Sequence, residues 1–481
     1  MPVLPELEPK AVFRYFEEIC AIPHGSFHTD AISSYLVDFA KNHDLKYRRD
    51  ETNNVIIFKP ATAGYENAPT VMIQGHMDMV CEKLPSCTKN MEEEGLDLFI
   101  DGNTIGAKGT TLGGDDGIAV AMALAILAAD DIPHGNLECL FTVDEEVGMI
   151  GARALDVSDL KSQCMLNIDS EVDKVLTVSC AGSTRAISSF NIARSSFNGT
   201  GAVISIEGLT GGHSGEEIHK GRANANVLLG RALFAASKVC SLRIVDVKGG
   251  AKDNAIPCDS CATVIVSDFS ALEKCISELQ KNVRNEYRTA DPNITIRVKK
   301  AEENTQVTPF DEESSRKVTS FLFCAPNGVQ MMSVEVPNLV QTSLNMGRLY
   351  MEDDCVSVSF MIRSSVNTQK DEVTEKLRSL TEILGGCFDV PVSYSAWEYK
   401  PDSPLRDTMV EAFRKVYGEE PKIEALHAGL ECGILLGKMP WLDCISFGPD
   451  LTDIHTPRER LHIRSAQRVW NLTLETLKSL K

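Results

Sequence analysis

The stretch Thr70-Val-Met-Ile-Gln-Gly-His-Met-Asp78 decides how the first part of the chain folds. Thr70 to Gln74 is a short, mostly apolar run that stops at Gly75, with a His and an Asp directly behind it. Such a run predicts a strand buried on both faces with polar groups at its carboxyl end. Upstream, Ala11 to Cys20 and Ala31 to Asn42 have helical spacing, and Asn54 to Phe58 is strand-like. Downstream, a helix is expected from Gly117 to Ala129, then strands at Leu137 to Val143 and Met165 to Ile168. This alternation predicts an α/β domain with a mainly parallel central sheet.

From about Thr184 the pattern changes. Val203–Leu209, Leu242–Val247, Ala262–Ser267 and Ile294–Lys299 read as strands, with helices at Ala223–Val239 and Leu272–Tyr287. A similar order follows, with a helix at Glu312–Cys324, strands at Leu339–Tyr350 and Cys355–Arg363, a helix at Lys370–Leu384 and a strand at Phe388–Trp397. The expectation is an α+β domain of two ferredoxin-like halves, one after the other. After Tyr399 the α/β style resumes, ending in a helix from Ile463 to Leu480. The chain thus reads as a catalytic domain in two segments, 1–184 and 397–481, interrupted by an inserted lid domain at 185–396.

Over 481 residues, 68 Asp and Glu outnumber 48 Lys and Arg, a net charge of −20. That balance argues against nucleic acid as a partner, because phosphate binding needs a basic surface. The start is polar and Pro-rich, and the longest apolar run, Ile118 to Ala129, is shorter than the roughly 20 residues of a bilayer span. The 15 cysteines are scattered singly apart from Cys258-Asp-Ser-Cys261, which is read as structural thiols. Together these features predict a cytoplasmic protein without a disulfide framework.

Five strand-end segments carry metal-ligand residues: His76-Met-Asp78, Gly114-Asp115-Asp116-Gly117, Glu145-Glu146, Asp169 and Asp453-Ile-His455. In an open α/β sheet, sites form outside the carboxyl ends of the strands, so these segments can converge despite their separation. Two His and several carboxylates gathered there point to a two-metal hydrolase site. Glu145 and Glu146, read as an extended pair, are expected to point in opposite directions and to divide the work.

These motifs resemble the dinuclear zinc exopeptidases, in the branch of the aminoacyl-histidine and non-specific dipeptidases. Gly211-Gly-His213-Ser-Gly215, Asn254-Ala-Ile-Pro257, Pro326-Asn-Gly-Val329 and His427-Ala-Gly429-Leu-Glu431-Cys-Gly433 add to the likeness, which runs from Ile22-Pro-His24 almost to the C-terminus. The resemblance implies two Zn²⁺ per chain, with Mn²⁺ or Co²⁺ as substitutes. His76 and Asp169 would hold one, Glu146 and His455 the other, and Asp115 would bridge them. Asp78 would fix the His76 imidazole. Glu145 would be the general base for attack by a zinc-bound hydroxide. His213 would stabilise the oxyanion, and Asn254, Arg363 and Gly429 would line the substrate.

The family places a cis peptide after its bridging carboxylate, here the Asp115–Asp116 bond. His24, His28 and His219 are read as structural or pocket-lining. The implied activity is hydrolysis of dipeptides, notably Xaa-His such as β-Ala-His. An N-acyl amino-acid amidohydrolase and an inactive binding homologue are the alternatives, and a homodimer is plausible.

Overall fold

A computed structural model describes residues 2–301 and 308–481. It divides into two compact units. The first comprises Met1–Ser179, Tyr399–Ala425 and Leu430–Lys481, and the second Cys180–Glu398 with Leu426–Gly429.

The first unit is built on an eight-stranded sheet. Its order is Lys46–Arg49, Val55–Lys59, Leu137–Thr142, Val71–His76, Cys164–Asn167, Asp443–Ser446, Val175–Cys180 and Lys422–Leu426. The four strands from Leu137–Thr142 to Asp443–Ser446 are mutually parallel, and antiparallel partners flank them. Every residue of Val71–His76 and Leu137–Thr142 is buried, which explains their unbroken apolar character. The helix Gly114–Ala128 is buried all round from Gly114 to Leu127, so it shows no amphipathic stripe. It crosses the His76 strand so closely that a Cβ on Gly75 would lie 2.5 Å from Asp116 Oδ2 and 2.8 Å from Ala119 Cβ. A glycine there is a packing requirement.

The second unit carries a nine-stranded sheet and corrects the expectation of tandem halves. One half runs Thr200–Glu207, helix Ala225–Ser237, Leu242–Gly249, Ser260–Val266, helix Phe269–Glu286, Thr295–Lys300. Its sheet order is fourth, first, third, second, the ferredoxin-like arrangement. The other half has the same order, but its first strand is Gly182–Asn191, followed in the fold by Val340–Glu352, Cys355–Ser364 and Cys387–Tyr394. One half is therefore nested inside the other, between Asn191 and the helix Glu312–Cys324. The first strand, GSTRAISSFN, lacks a regular alternation of apolar and polar residues, so it carries little strand signal by itself. The halves join where Gly249 pairs with Leu349. The strand Gly182–Asn191 spans the expected 184/185 boundary.

None of the 15 cysteines forms a disulfide; Cys258 is exposed and Cys261 half-buried. No helix among the described residues is long and apolar enough to cross a membrane.

Candidate metal centre

Three parallel strands and one helix start deliver the polar cluster of the first unit. His76 ends its strand, Asp169 follows Cys164–Asn167 by two residues, and Glu145 and Glu146 follow Leu137–Thr142. Asp115 lies in the first turn of Gly114–Ala128, where Asp115 and Asp116 depart from helical backbone and the bond between them is cis. His455 comes from the loop after Leu451–Thr452.

The Asp115 carboxylate spans the centre. Its Oδ1 lies 3.1 Å from His76 Nε2 and its Oδ2 3.2 Å from His455 Nε2. Asp169 Oδ1 is 3.5 Å from His76 Nε2, and Glu146 Oε1 is 2.9 Å from His455 Nε2. Potential ligand atoms of Asp115, Glu146 and His455 fall within 4.8 Å of one another, as do those of His76, Asp116 and Asp169 and those of His76, Glu145 and Glu146.

Two expectations change. Asp78 holds the His76 ring mainly through its backbone carbonyl, 2.9 Å from Nδ1, while its carboxylate Oδ1 is 3.5 Å away. That carboxylate accepts from Ser26 Oγ at 2.8 Å and from the Glu145 N–H at 3.1 Å, tying the Glu145 turn to the His76 strand. Glu145 and Glu146 do not form an extended pair. The N–H groups of Gly148 and Met149 both bond the Glu145 carbonyl, closing a turn after Asp144, whose φ is +55°. The turn brings both carboxylates toward His76 instead of sending them apart.

The cluster is electrostatically incomplete without a cation. Burial pushes the carboxyls of Glu145, Glu146 and Asp169 up, and their acidic neighbours add to it. Burial also opposes charge on His76, but Asp115, Asp169 and Asp78 outweigh it and hold that imidazole well above its usual range. Asp115 and Glu146 raise His455 to about 10. Asp78, Asp115 and Asp169 pair with His76, and Asp115 and Glu146 with His455; among the described residues no Lys or Arg forms an ion pair with any of them. Carboxylates that surround two imidazoles, and share one central carboxylate, form a nitrogen–oxygen donor set suited to divalent zinc, manganese or cobalt.

Several supporting groups have no role in the sequence reading. Glu459 is buried and accepts backbone N–H bonds from Leu112, Gly113 and Gly114 at 2.7, 3.1 and 2.8 Å, with a longer one of 3.4 Å from Asp115. A carboxylate at a helix start satisfies orphan donors and complements the helix dipole. Asp116 is buried with Oδ2 lacking a hydrogen-bond partner. Glu431 is fully buried, and burial pushes it up to about 8. Nothing local in the sequence marks Glu459, whose partners lie hundreds of positions away, and the motifs that contain Asp116 and Glu431 do not say what those two side chains touch.

The second unit gathers the remaining residues. Gly212–His213 pairs with Ala255–Ile256, and the Asn254 carbonyl accepts from the Ser214 N–H at 2.8 Å. A Cβ on Gly215 would lie 3.1 Å from His213 Cε1, 3.2 Å from Arg363 Nε and 2.7 Å from the His427 carbonyl, so these groups converge on that glycine. Arg363 is 6% exposed with Nε unpartnered, which removes a surface ion pair as its explanation. Burial, reinforced by Arg363, lowers His213. Asn254 itself is exposed, and Gly429 admits the Tyr394 hydroxyl, which would lie 2.3 Å from a Cβ there. His24 is buried with Nδ1 on the Ile22 carbonyl at 2.6 Å, and His28 lies 3.8 Å from Glu92.

Known proteins resemble this chain over its full length. The chain is 35% identical over 484 residues to the cytosol non-specific dipeptidase of Escherichia coli, covering 100% of this chain and 99% of the relative. The crystal structure of aminoacylhistidine dipeptidase from Vibrio alginolyticus superposes with a TM-score of 0.92 at 35% identity, covering 99% and 98% of the two chains. Aminopeptidase PepT from Bacillus cereus shares the fold, with a TM-score of 0.58 at 15% identity over 98% of this chain and 99% of its own. Residues 72–479 match the model of Peptidase family M20/M25/M40, and the chain belongs to that family.

Proposed function

We propose that this chain hydrolyses dipeptides, Xaa-His among them, at a centre of two divalent ions, zinc in the first instance. It is a metallodipeptidase, as its full-length relatives are. The observation that carries the site assignment is the Asp115 carboxylate with one oxygen toward each imidazole. His76 and Asp169 are assigned to one ion, Glu146 and His455 to the other, and Asp115 to both. Bound there, the ions would polarise the scissile carbonyl and lower the pKa of water toward about 7.

The chain's own residues then have defined tasks. The Asp78 carbonyl accepts a hydrogen bond from the Nδ1–H of His76 and leaves the Nε2 lone pair facing the centre. Glu145, in a turn pinned by Asp78, accepts the proton of the attacking water and returns it to the leaving amine. Its burial favours the protonated form, which suits the second half of that cycle. Arg363 is assigned the C-terminal carboxylate of the dipeptide and His213 the oxyanion, with Asn254 and Gly429 lining the substrate. Beside Glu146, a pocket of about 420 Å³ with Phe27, Met79, Met91 and Val147 in its wall offers apolar room for a residue of the peptide. The compartment of the E. coli relative, the cytosol, is proposed for this chain also.

A dipeptide panel including β-Ala-His, run with defined metals and with N-acyl amino acids alongside, tests the reading. Glu145→Gln should keep its metal and lose at least about 100-fold in kcat, the lower end for a general base. Wild-type turnover in that variant, or cleavage of N-acyl amino acids but not dipeptides, overturns it.

A further inference from the structure

We propose that Glu431 is a positioning residue for the metal centre, holding in place the three strand ends that carry His76, Asp169 and the Glu145–Glu146 turn. The inference rests on reading the cluster as a metal centre.

Glu431 opens the helix Glu431–Lys438 and is fully buried. Its Oε2 accepts from Thr142 Oγ1 at 2.5 Å and from Gln74 Nε2 at 2.6 Å. Gln74 also donates to Thr142 Oγ1 at 3.2 Å and accepts from Asn167 Nδ2 at 2.6 Å. Asn167 in turn hydrogen-bonds the Asp169 carboxylate. The strand register explains why the path is continuous. Gln74 pairs with Asn167, and His76 pairs with Thr142, across parallel neighbours. Side chains two apart on a strand share a face, so Gln74 and His76 lie on one face, and the paired Asn167 and Thr142 lie beside them.

A carboxylate is a costly choice for this position if it serves packing alone. Its other oxygen, Oε1, has no partner among the described residues, and its charged neighbours include Asp169 and Asp78. An apolar side chain of the same volume would avoid that desolvation. What an apolar side chain cannot do is hold Gln74 and Thr142 at once, and through Gln74 the amide that bonds Asp169. Gln74, Thr142 and Asn167 each precede a proposed ligand or the base by two or three residues. Small rotations there would move the ligand atoms directly.

The test uses metal-free full-length protein titrated with Zn²⁺ against a competing chelator, with far-UV circular dichroism to establish folding. Glu431→Ala and Gln74→Leu should each weaken zinc by about 10- to 100-fold, the range for groups that orient metal ligands. The double variant should be little worse than either alone, because both cut one path. A residue that serves stability alone would lower the unfolding midpoint of the metal-free protein and leave zinc affinity alone. Affinities within twofold of wild type, or losses that add fully, overturn the proposal. If Glu431→Ala does not fold, Glu431→Gln with Gln74→Leu supplies the same comparison. Wild-type protein that takes up no zinc refutes the metal centre itself, so the two failures are distinct.

Discussion

Replacing Glu459 by Ala should destabilise the metal-free protein by about 3–5 kcal/mol, the lower part of the cost of leaving three buried backbone donors unpaired. Glu459 is 2% exposed, and its carboxylate takes three backbone N–H bonds of 3.1 Å or shorter from Leu112, Gly113 and Gly114. Each buried donor left unpaired costs about 1–3 kcal/mol, so three give about 3–9 kcal/mol before relaxation or water entry. The turn has little freedom to relax. Gly113 has φ of +67°, and a Cβ on Gly114 would lie 2.7 Å from Leu451 Cδ2. Glu459→Gln keeps one acceptor but turns an amide donor toward donors, so a smaller loss of about 2 kcal/mol is expected. Urea unfolding of the metal-free proteins measures both differences. Because Asp115 follows this turn, zinc affinity should fall in the same order. A Glu459→Ala protein within 1 kcal/mol of wild type would refute the reasoning.

Other predictions concern packing, protons and recognition. Gly75→Ala drives a Cβ into Asp116 and Ala119, and should cost about 1–3 kcal/mol by overpacking, read as a lowered denaturation midpoint. Metal uptake at pH 7 should release protons, because His76 and His455 are held above their usual pKa and must be neutral to bind. Calorimetry in buffers of different ionisation enthalpy counts those protons, and apparent affinity should rise with pH until the His455 value of about 10 is passed. Zero release at pH 7 counts against the ligand assignment. Arg363→Lys exchanges a bidentate grip for a point charge, so it should narrow the preference for a dipeptide over its C-terminal amide by about tenfold. An unchanged preference removes Arg363 from carboxylate recognition.

The loops proposed to hold metal were legible because a two-metal centre would need charged residues where an α/β sheet otherwise places small or apolar ones. His76, Asp115, Glu146, Asp169 and His455 stand out against buried strands such as VMIQGH and LECLFT. The turn at Glu145 was not legible, since its closure depends on positive φ at Asp144, a residue compatible with several conformations. Glu459 reads as an ordinary acid and Glu431 as a motif residue without a task, because what distinguishes them is partners 289 to 357 residues away. The short edge strand Lys46–Arg49 has the sequence KYRR and no apolar alternation to reveal it. The nested halves were misread as tandem because element order along a chain does not say which strand a sheet takes as its first.

That nesting has a kinetic consequence. The inner half has all its strands once Lys300 is made, the outer half must wait for Tyr394, and the sheet of the first unit lacks an interior strand until Ser446. His455 is made later still. On a ribosome adding about 5–20 residues per second, the innermost module can close first and the oldest residues in the chain last. The N-terminal strands therefore spend the synthesis of nearly 270 residues, from Val175–Cys180 to Asp443–Ser446, with an open slot in their sheet. The proposed metal cluster assembles at the end of that sequence, so a truncated chain carries His76, Glu146 and Asp169 at three strand ends without the fold that gathers them with His455.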